Sequence, residues 1–159
     1  MRKPVMVLLL CASMAMACGR PIDVATDLQV ELVSSGWTDA GVVDGKNKIV
    51  PAIAVRLKNA SAQGLPMLQL NAMFHRAGND EEWGSGFVTA AGSDGLAPGG
   101  ATGVFTVNSE IGYTGTDAAA DLLRNSHFTD ATVDLYAKYG SGRWTRVGAY
   151  PVSRQLLVR

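Results

Sequence analysis

The residue types that do chemistry are few in this chain, and their spacing suits none of the common reactions. Ser126, His127 and Asp130 include the three types of a hydrolytic triad, but a triad is a spatial constellation with an oxyanion site beside it, and nearness in sequence is no part of that geometry. Gly84-Ser85-Gly86 lacks the Gly-x-Ser-x-Gly spacing of a nucleophile elbow and falls in an alternating, strand-like segment. The two histidines, His75 and His127, stand far apart with no ligand pair at metal spacing. Asn79-Asp80-Glu81-Glu82 is the one acidic cluster; it lacks the alternating oxygen ligands and glycine of a calcium loop. No aromatic-lined subsite accompanies Asp80, Glu81 or Glu82, as glycoside hydrolysis would require. Pro98-Gly99-Gly100 has neither the lysine nor the helix start of a phosphate loop. The expectation is therefore no catalytic residue, no metal site and no dissociable cofactor, with a hydrolase using Asp80, Glu81 or Glu82 as the outlying alternative. Of the two thiols, Cys11 and Cys18, only Cys18 stands in a context that suggests a reaction.

That context is the N-terminus. Arg2 and Lys3 supply positive charge, an apolar stretch begins at Val5, and small residues precede Cys18, the three-part pattern of a secretory signal. The apolar run covers about 13 positions, short of the roughly 20 that cross a bilayer as a helix. Its end, Ala15-Met16-Ala17-Cys18, resembles the lipobox of bacterial lipoproteins, departing from the commonest form in having Ala15 where leucine usually stands. The resemblance implies that residues 1–17 are removed and that Cys18 becomes a mature N-terminus carrying a diacylglyceryl group and an amide-linked acyl chain such as palmitate. Cys11 follows the bulky Leu10 and does not fit the same cleavage. Gly19, rather than aspartate, after the cysteine implies the outer membrane, facing the periplasm. Ala15-Met16-Ala17 also satisfies ordinary signal cleavage, so a secreted soluble protein is the alternative.

Removal of 17 of the 159 residues leaves enough chain for one domain with a proper core and too little for two. Residues 18–26 read as a lipidated tether and 27–159 as a single domain. The chain has 14 basic and 14 acidic residues, and without Arg2 and Lys3 the balance is −2. No basic stripe points to nucleic acid. With Cys11 removed and Cys18 acylated, no disulfide is expected, and stability must come from the hydrophobic core.

The dominant period along that domain is two. Leu28, Val30 and Leu32 alternate with polar residues, as do Ile53, Val55 and Leu57, then Leu68, Leu70, Ala72 and Phe74, then Ala131, Val133, Leu135 and Ala137. Trp83, Ser85 and Phe87 are out of phase with Gly84 and Gly86, and Val104 to Val107 is apolar on both faces, which predicts an interior strand. Gly140-Ser141-Gly142 leads from the 131–138 strand into Trp144–Tyr150, a closing hairpin. Turn residues recur at Asn59–Gly64, Ala77–Asp80 and Ser93–Gly95. One helix is expected over about 116–125, with Thr116 as cap and Ala119, Leu122 and Leu123 as its apolar face. This predicts an all-β fold: an immunoglobulin-like antiparallel β-sandwich of about seven strands with one short crossover helix. Val55-Arg56-Leu57-Lys58-Asn59-Ala60-Ser61, the Leu68–Phe74 strand and Leu96-Ala97-Pro98-Gly99 make residues 55–107 similar to the extracytoplasmic sandwich domains of the FxLYD type, although the Phe-x-Leu-Tyr-Asp signature itself is absent. That resemblance implies a non-catalytic cell-surface module.

Few aromatic side chains are available for recognition. Trp83 and Trp144 are expected in the core, whereas Tyr113, flanked by Gly112 and Gly115 in what reads as a loop, is a candidate for exposure. Tyr113, Thr114 and His127 are accordingly the candidate partner contacts. Asn59-Ala60-Ser61 matches a glycosylation sequon, which a bacterial lipobox makes accidental. Together these readings describe a lipid-anchored bacterial cell-envelope protein with a binding or assembly module, held to a membrane by its lipid and meeting an envelope protein partner. An accessory subunit of an outer-membrane secretion or transport complex is the alternative within that class.

Overall fold

Alternation of apolar and polar residues becomes, in a computed structural model describing residues 20–158, eight strands: β1 Leu28–Val43, β2 Lys46–Asn59, β3 Leu68–Arg76, β4 Glu82–Ala91, β5 Phe105–Asn108, β6 Tyr113–Gly115, β7 Ala131–Lys138 and β8 Thr145–Val152. Single helical turns at α1, Val24–Asp27, and α2, Ala119–Leu122, complete the described elements. Cys18 and the expected signal segment 1–17 lie outside the described residues. One sheet has the order β1-β2-β5, with β6 also on β2; the other has the order β4-β3-β7-β8. Every pairing is antiparallel. The β3-β7-β8 core with β4 added outside it, facing a β1-β2-β5 sheet, is the immunoglobulin-like strand order. The segment holding α2 crosses from β6 in the first sheet to β7 in the second.

The core lies between the sheets, where Leu68, Leu70, Ala72 and Phe74 of β3 meet Ile53, Val55 and Leu57 of β2, and Val133, Leu135 and Ala137 of β7. β2 is the spine of the first sheet, bonded to β1 on one side and to β5 and β6 on the other, and Ile49 to Val55 are buried without interruption. Both open sides of the sandwich are closed. On one, the Trp37 N–H donates to the Gln155 carbonyl at 2.8 Å, the Leu157 N–H donates to the Trp37 carbonyl at 2.7 Å, and the Ser35 hydroxyl donates to the Pro151 carbonyl at 2.9 Å. On the other, the Glu110 N–H donates to the Ser85 carbonyl at 3.2 Å. Edge strands that would otherwise offer free backbone groups are thereby partly occupied.

Several strands depart from the simple alternation. In β1 the pairing register shifts after Leu32, leaving Val33 as an extra residue; a bulge of this kind exchanges the two faces of a strand. Past it, Ser35 and Trp37 turn inward and Trp37 is fully buried, while Leu32, just before the bulge, is 41% exposed. A second shift, beside His75, makes Trp83 the extra residue of β4. Trp83 packs against the core from there, but the rest of β4 has the opposite phase to the one expected: Gly84 is buried and Phe87 is 58% exposed. β5 is a sheet edge bonded to β2 alone rather than an interior strand, with Val107 buried and Val104 exposed. The expected 116–125 helix is a single turn whose N-cap is Ala118, without a side-chain cap bond; Thr116 is outside it. Tyr113 is in strand β6 rather than a loop. Trp144 is 40% exposed, not a core residue.

The two ends of the sandwich differ. At the near end, where the described chain begins, Arg20 pairs with Asp27, and the Asp23 carboxylate caps α1 by accepting the Ala25 N–H at 3.1 Å. Val24 is buried and Ile22 packs on the core, so the described part of the expected tether, residues 20–26, is folded onto the domain. Asn59 fastens this end. Its fully buried amide donates to the carbonyls of Gln63 at 2.7 Å and Leu96 at 2.9 Å, and its oxygen accepts the Ser61 N–H at 2.9 Å. A side chain so engaged has no amide free to carry a glycan. The far end holds the β1–β2 hairpin, whose Asp44 and Gly45 both take positive φ, as a two-residue type I′ turn requires.

The inward phase of β4 makes a direct demand on sequence. A Cβ built at Gly86 would collide with the Asn108 carbonyl oxygen and lie 2.8 Å from a Val107 methyl, whereas one at Gly92 would meet nothing. We expect Gly86→Ala to lower unfolding free energy by about 1–3 kcal/mol while Gly92→Ala changes it little, as measured by urea denaturation of the two variants.

Candidate functional site

Four aromatic rings build the far end, and they come from separate parts of the chain. Trp37 of β1 lies 4.7 Å from Phe128 in an edge-on arrangement, 5.7 Å from Tyr113 and 6.1 Å from Trp83. Tyr113 stands 4.9 Å from Phe128 and 5.1 Å from Trp83. Its hydroxyl is used on both sides: it donates to the Thr129 carbonyl at 3.3 Å and accepts the Thr129 N–H at 3.2 Å. The Tyr113 ring is therefore a structural brace between β6 and the segment leading into β7. Arg154 lies 4.8 Å over the Phe128 ring and donates to the Asp130 carboxylate at 2.8 Å, and this contact holds the Arg154 guanidinium above its ordinary value.

Above these rings lies a cleft of about 320 Å³, with Tyr113, Leu122 and Phe128 as its apolar surface and Thr114, Asp117, Asn125 and His127 around them. The three candidate contacts, Tyr113, Thr114 and His127, thus stand in one concavity. The rim is tied to the scaffold, since Asn47 donates to the Asp117 carbonyl at 2.8 Å and the His127 N–H donates to the Asn125 side-chain oxygen at 2.9 Å. An apolar floor with short polar side chains around it suits a protruding side chain from a partner.

A larger, more open concavity of about 630 Å³ lies on the outer face of the second sheet, lined by His75, Asp80, Thr132, Asp134, Arg146 and Tyr150 among others. Arg146 donates to Asp134 at 2.6 Å, and that bond is the main reason its guanidinium stands above its ordinary value. Burial raises the Tyr150 phenol. The His75 Nδ1 bonds the Glu81 carbonyl at 3.1 Å, and its Nε2 is 3.7 Å from Asp134, beyond hydrogen-bond range. Of the three carboxylates of the acidic cluster, only Asp80 reaches this concavity; Glu81 and Glu82 border a small depression beside Arg76 and Trp83. The three carboxylates are exposed in the β3–β4 turn and at the first residue of β4. Ser126, His127 and Asp130 do not assemble as a triad, because Arg154 engages Asp130 and His127 faces the cleft. No group of three or more His, Cys, Asp or Glu side chains among the described residues is placed to hold a metal.

Sequence reasoning missed Leu122 and Phe128 as lining the cleft, and Trp37 as the ring packed against Phe128 and Tyr113. The bulge that turns Trp37 inward leaves no mark in the alternation. Phe128 follows His127 in an irregular segment, where period carries no signal.

The fold and site define an immunoglobulin-like β-sandwich with an aromatic-floored cleft at one end. No family model matches the chain, and no curated protein does. Among solved structures, one described as "X-ray structure of Northeast Structural Genomics Consortium target SoR45" is similar at 12% identity over 82% of this chain and 89% of that chain, with a TM-score of 0.46.

We expect Tyr113→Phe to keep the ring packing but lose both bonds to Thr129, destabilising the domain by about 1–2 kcal/mol and speeding hydrogen exchange at the Thr129 amide above that at the core strands. Unchanged exchange there would contradict the bracing role.

Proposed function

We propose that this is a lipid-anchored bacterial cell-envelope protein, held through Cys18 in the outer membrane and facing the periplasm, whose sandwich is a non-catalytic module for binding or assembly with an envelope protein. The observation that carries this reading is the placement of Ala15-Met16-Ala17-Cys18 at the end of a short apolar run and directly before the folded domain. Two or more acyl chains at Cys18 give stable anchoring, where one is marginal. No helix among the described residues is long and apolar enough to cross a membrane. The far-end cleft around Tyr113, Thr114 and His127 is the surface offered to the partner, with Phe128 and Leu122 receiving an apolar side chain. The similarity of residues 55–107 to FxLYD-type domains agrees with a binding role.

The test is the intact mass of the mature chain from the membrane fraction of a bacterial host. We expect a chain beginning at Cys18 with the added mass of three acyl groups, absent from a Cys18→Ala variant. An unmodified soluble chain beginning at the same residue would replace this reading with plain secretion.

A further inference from the structure

We infer that the near end of the sandwich rests on lipid headgroups, with the β7–β8 hairpin from Lys138 to Trp144 as its contact. The inference rests on lipidation of Cys18 and adds the orientation that the anchor imposes. Cys18 precedes Arg20 by two residues, a span of at most about 7 Å. Arg20 itself is held, by its pair with Asp27 and by the Gln63 side chain, which donates to its carbonyl at 2.8 Å. An acylated Cys18 would therefore have little slack. The headgroup layer is only about 5–8 Å deep on each side of a bilayer, so the protein surface around Arg20 would have to lie against it.

The same surface includes the hairpin. Gln63 leads within three residues to Pro66, whose carbonyl accepts the Gly140 N–H at 3.1 Å. The chemistry there suits a headgroup layer. Trp144 is 40% exposed and meets the exposed Phe87 edge-on at 6.2 Å, while the Lys138 ammonium stands 5.0 Å over the Trp144 ring. Arg143 and Met67 are exposed nearby. Phe87 and Trp144 are the aromatic side chains among the exposed large apolar residues described. Tryptophan combined with lysine and arginine is the residue mixture that settles at a membrane–water boundary, rings at headgroup level and cations toward phosphate. The far-end cleft would then point away from the bilayer by roughly the length of β2, about 45 Å at some 3.3 Å per residue.

The test uses the mature, membrane-extracted chain in vesicles of phosphatidylethanolamine and phosphatidylglycerol, with and without phosphatidylcholine carrying a headgroup nitroxide. The emission of Trp144 is taken as the difference between the natural chain and Trp144→Phe. We expect the nitroxide to remove roughly half or more of that emission, and Lys138→Glu with Arg143→Glu to reduce the loss. The intact mass of the same sample separates the two ideas. Acylated Cys18 with unquenched Trp144 overturns the resting contact and leaves the lipoprotein reading standing; unmodified Cys18 removes both. Should Trp144→Phe fail to fold, a bimane on Ser141→Cys reads the same depth, because Cys18 would be blocked by its lipid and Cys11 removed.

Discussion

The contact of Trp37 with Phe128, Tyr113 and Trp83 is the interaction on which the far half of the molecule depends. It is the place where both sheets and the crossover meet: Trp37 and Tyr113 come from the first sheet, Trp83 from the second, and Phe128 from the chain between them. Aromatic pairs of this geometry contribute about 0.5–1.5 kcal/mol each beyond the burial of their area. Their greater consequence is positional. β6 has only three residues and bonds only the end of β2, too little ladder to hold itself, and the Tyr113 ring supplies what the backbone does not. Two of the rings, Tyr113 and Phe128, also line the cleft, so the interaction that closes the fold positions part of the candidate binding surface.

Two bulges make that interaction available. The extra residue Val33 turns Trp37 inward, and the extra residue Trp83 of β4 brings its ring against Trp37 and Tyr113. A strict two-residue period would have sent Trp37 to solvent. The same departures open the other approach between the sheets: with Gly84 and Gly86 facing inward, β4 has no side chains to separate it from the segment around Asn108 and Ser109. The sandwich is thus wide where large side chains from β2, β3 and β7 fill it, and narrow where glycines let backbones touch.

What could be read from residue order alone follows this division. β3 and β7 lie inside the second sheet with one face to the core, and their alternation, Leu68 to Phe74 and Ala131 to Ala137, translated directly into buried side chains. The two-sheet antiparallel class was legible for the same reason. β1, β4 and β5 were not fully legible, because bulges and edge positions are decided by contacts distant in sequence. β5 shows this best: Val104 to Val107 is apolar enough for an interior strand, yet β2 offers it one side only. The Asp44-Gly45 turn was a local signal that could have been used, since both residues take the positive φ of a hairpin. At the site, Tyr113, Thr114 and His127 could be singled out as loop-like and polar, but their convergence depends on the crossover, whose helical part shrank to one turn. The Ala15-Met16-Ala17-Cys18 resemblance belongs to a different category, being a short motif read independently of packing.

The two ends have been made rigid by different chemistry, and that difference bears on how each would work. Asn59 secures the near end by hydrogen bonds, its buried amide donating to the Gln63 carbonyl and joining the Leu65 N–H on the Leu96 carbonyl. A buried polar hub of this kind tolerates little displacement, because each broken bond leaves an unsatisfied group. The far end is secured by ring packing with the Tyr113 hydroxyl clamped to Thr129. Widening the cleft would mean parting the Tyr113 and Phe128 rings and breaking those bonds together. The cleft is thus a shape already present, with freedom to adjust confined to exposed rim side chains such as His127 and Asn125. A preformed cleft on a stiff body loses little conformational freedom on binding.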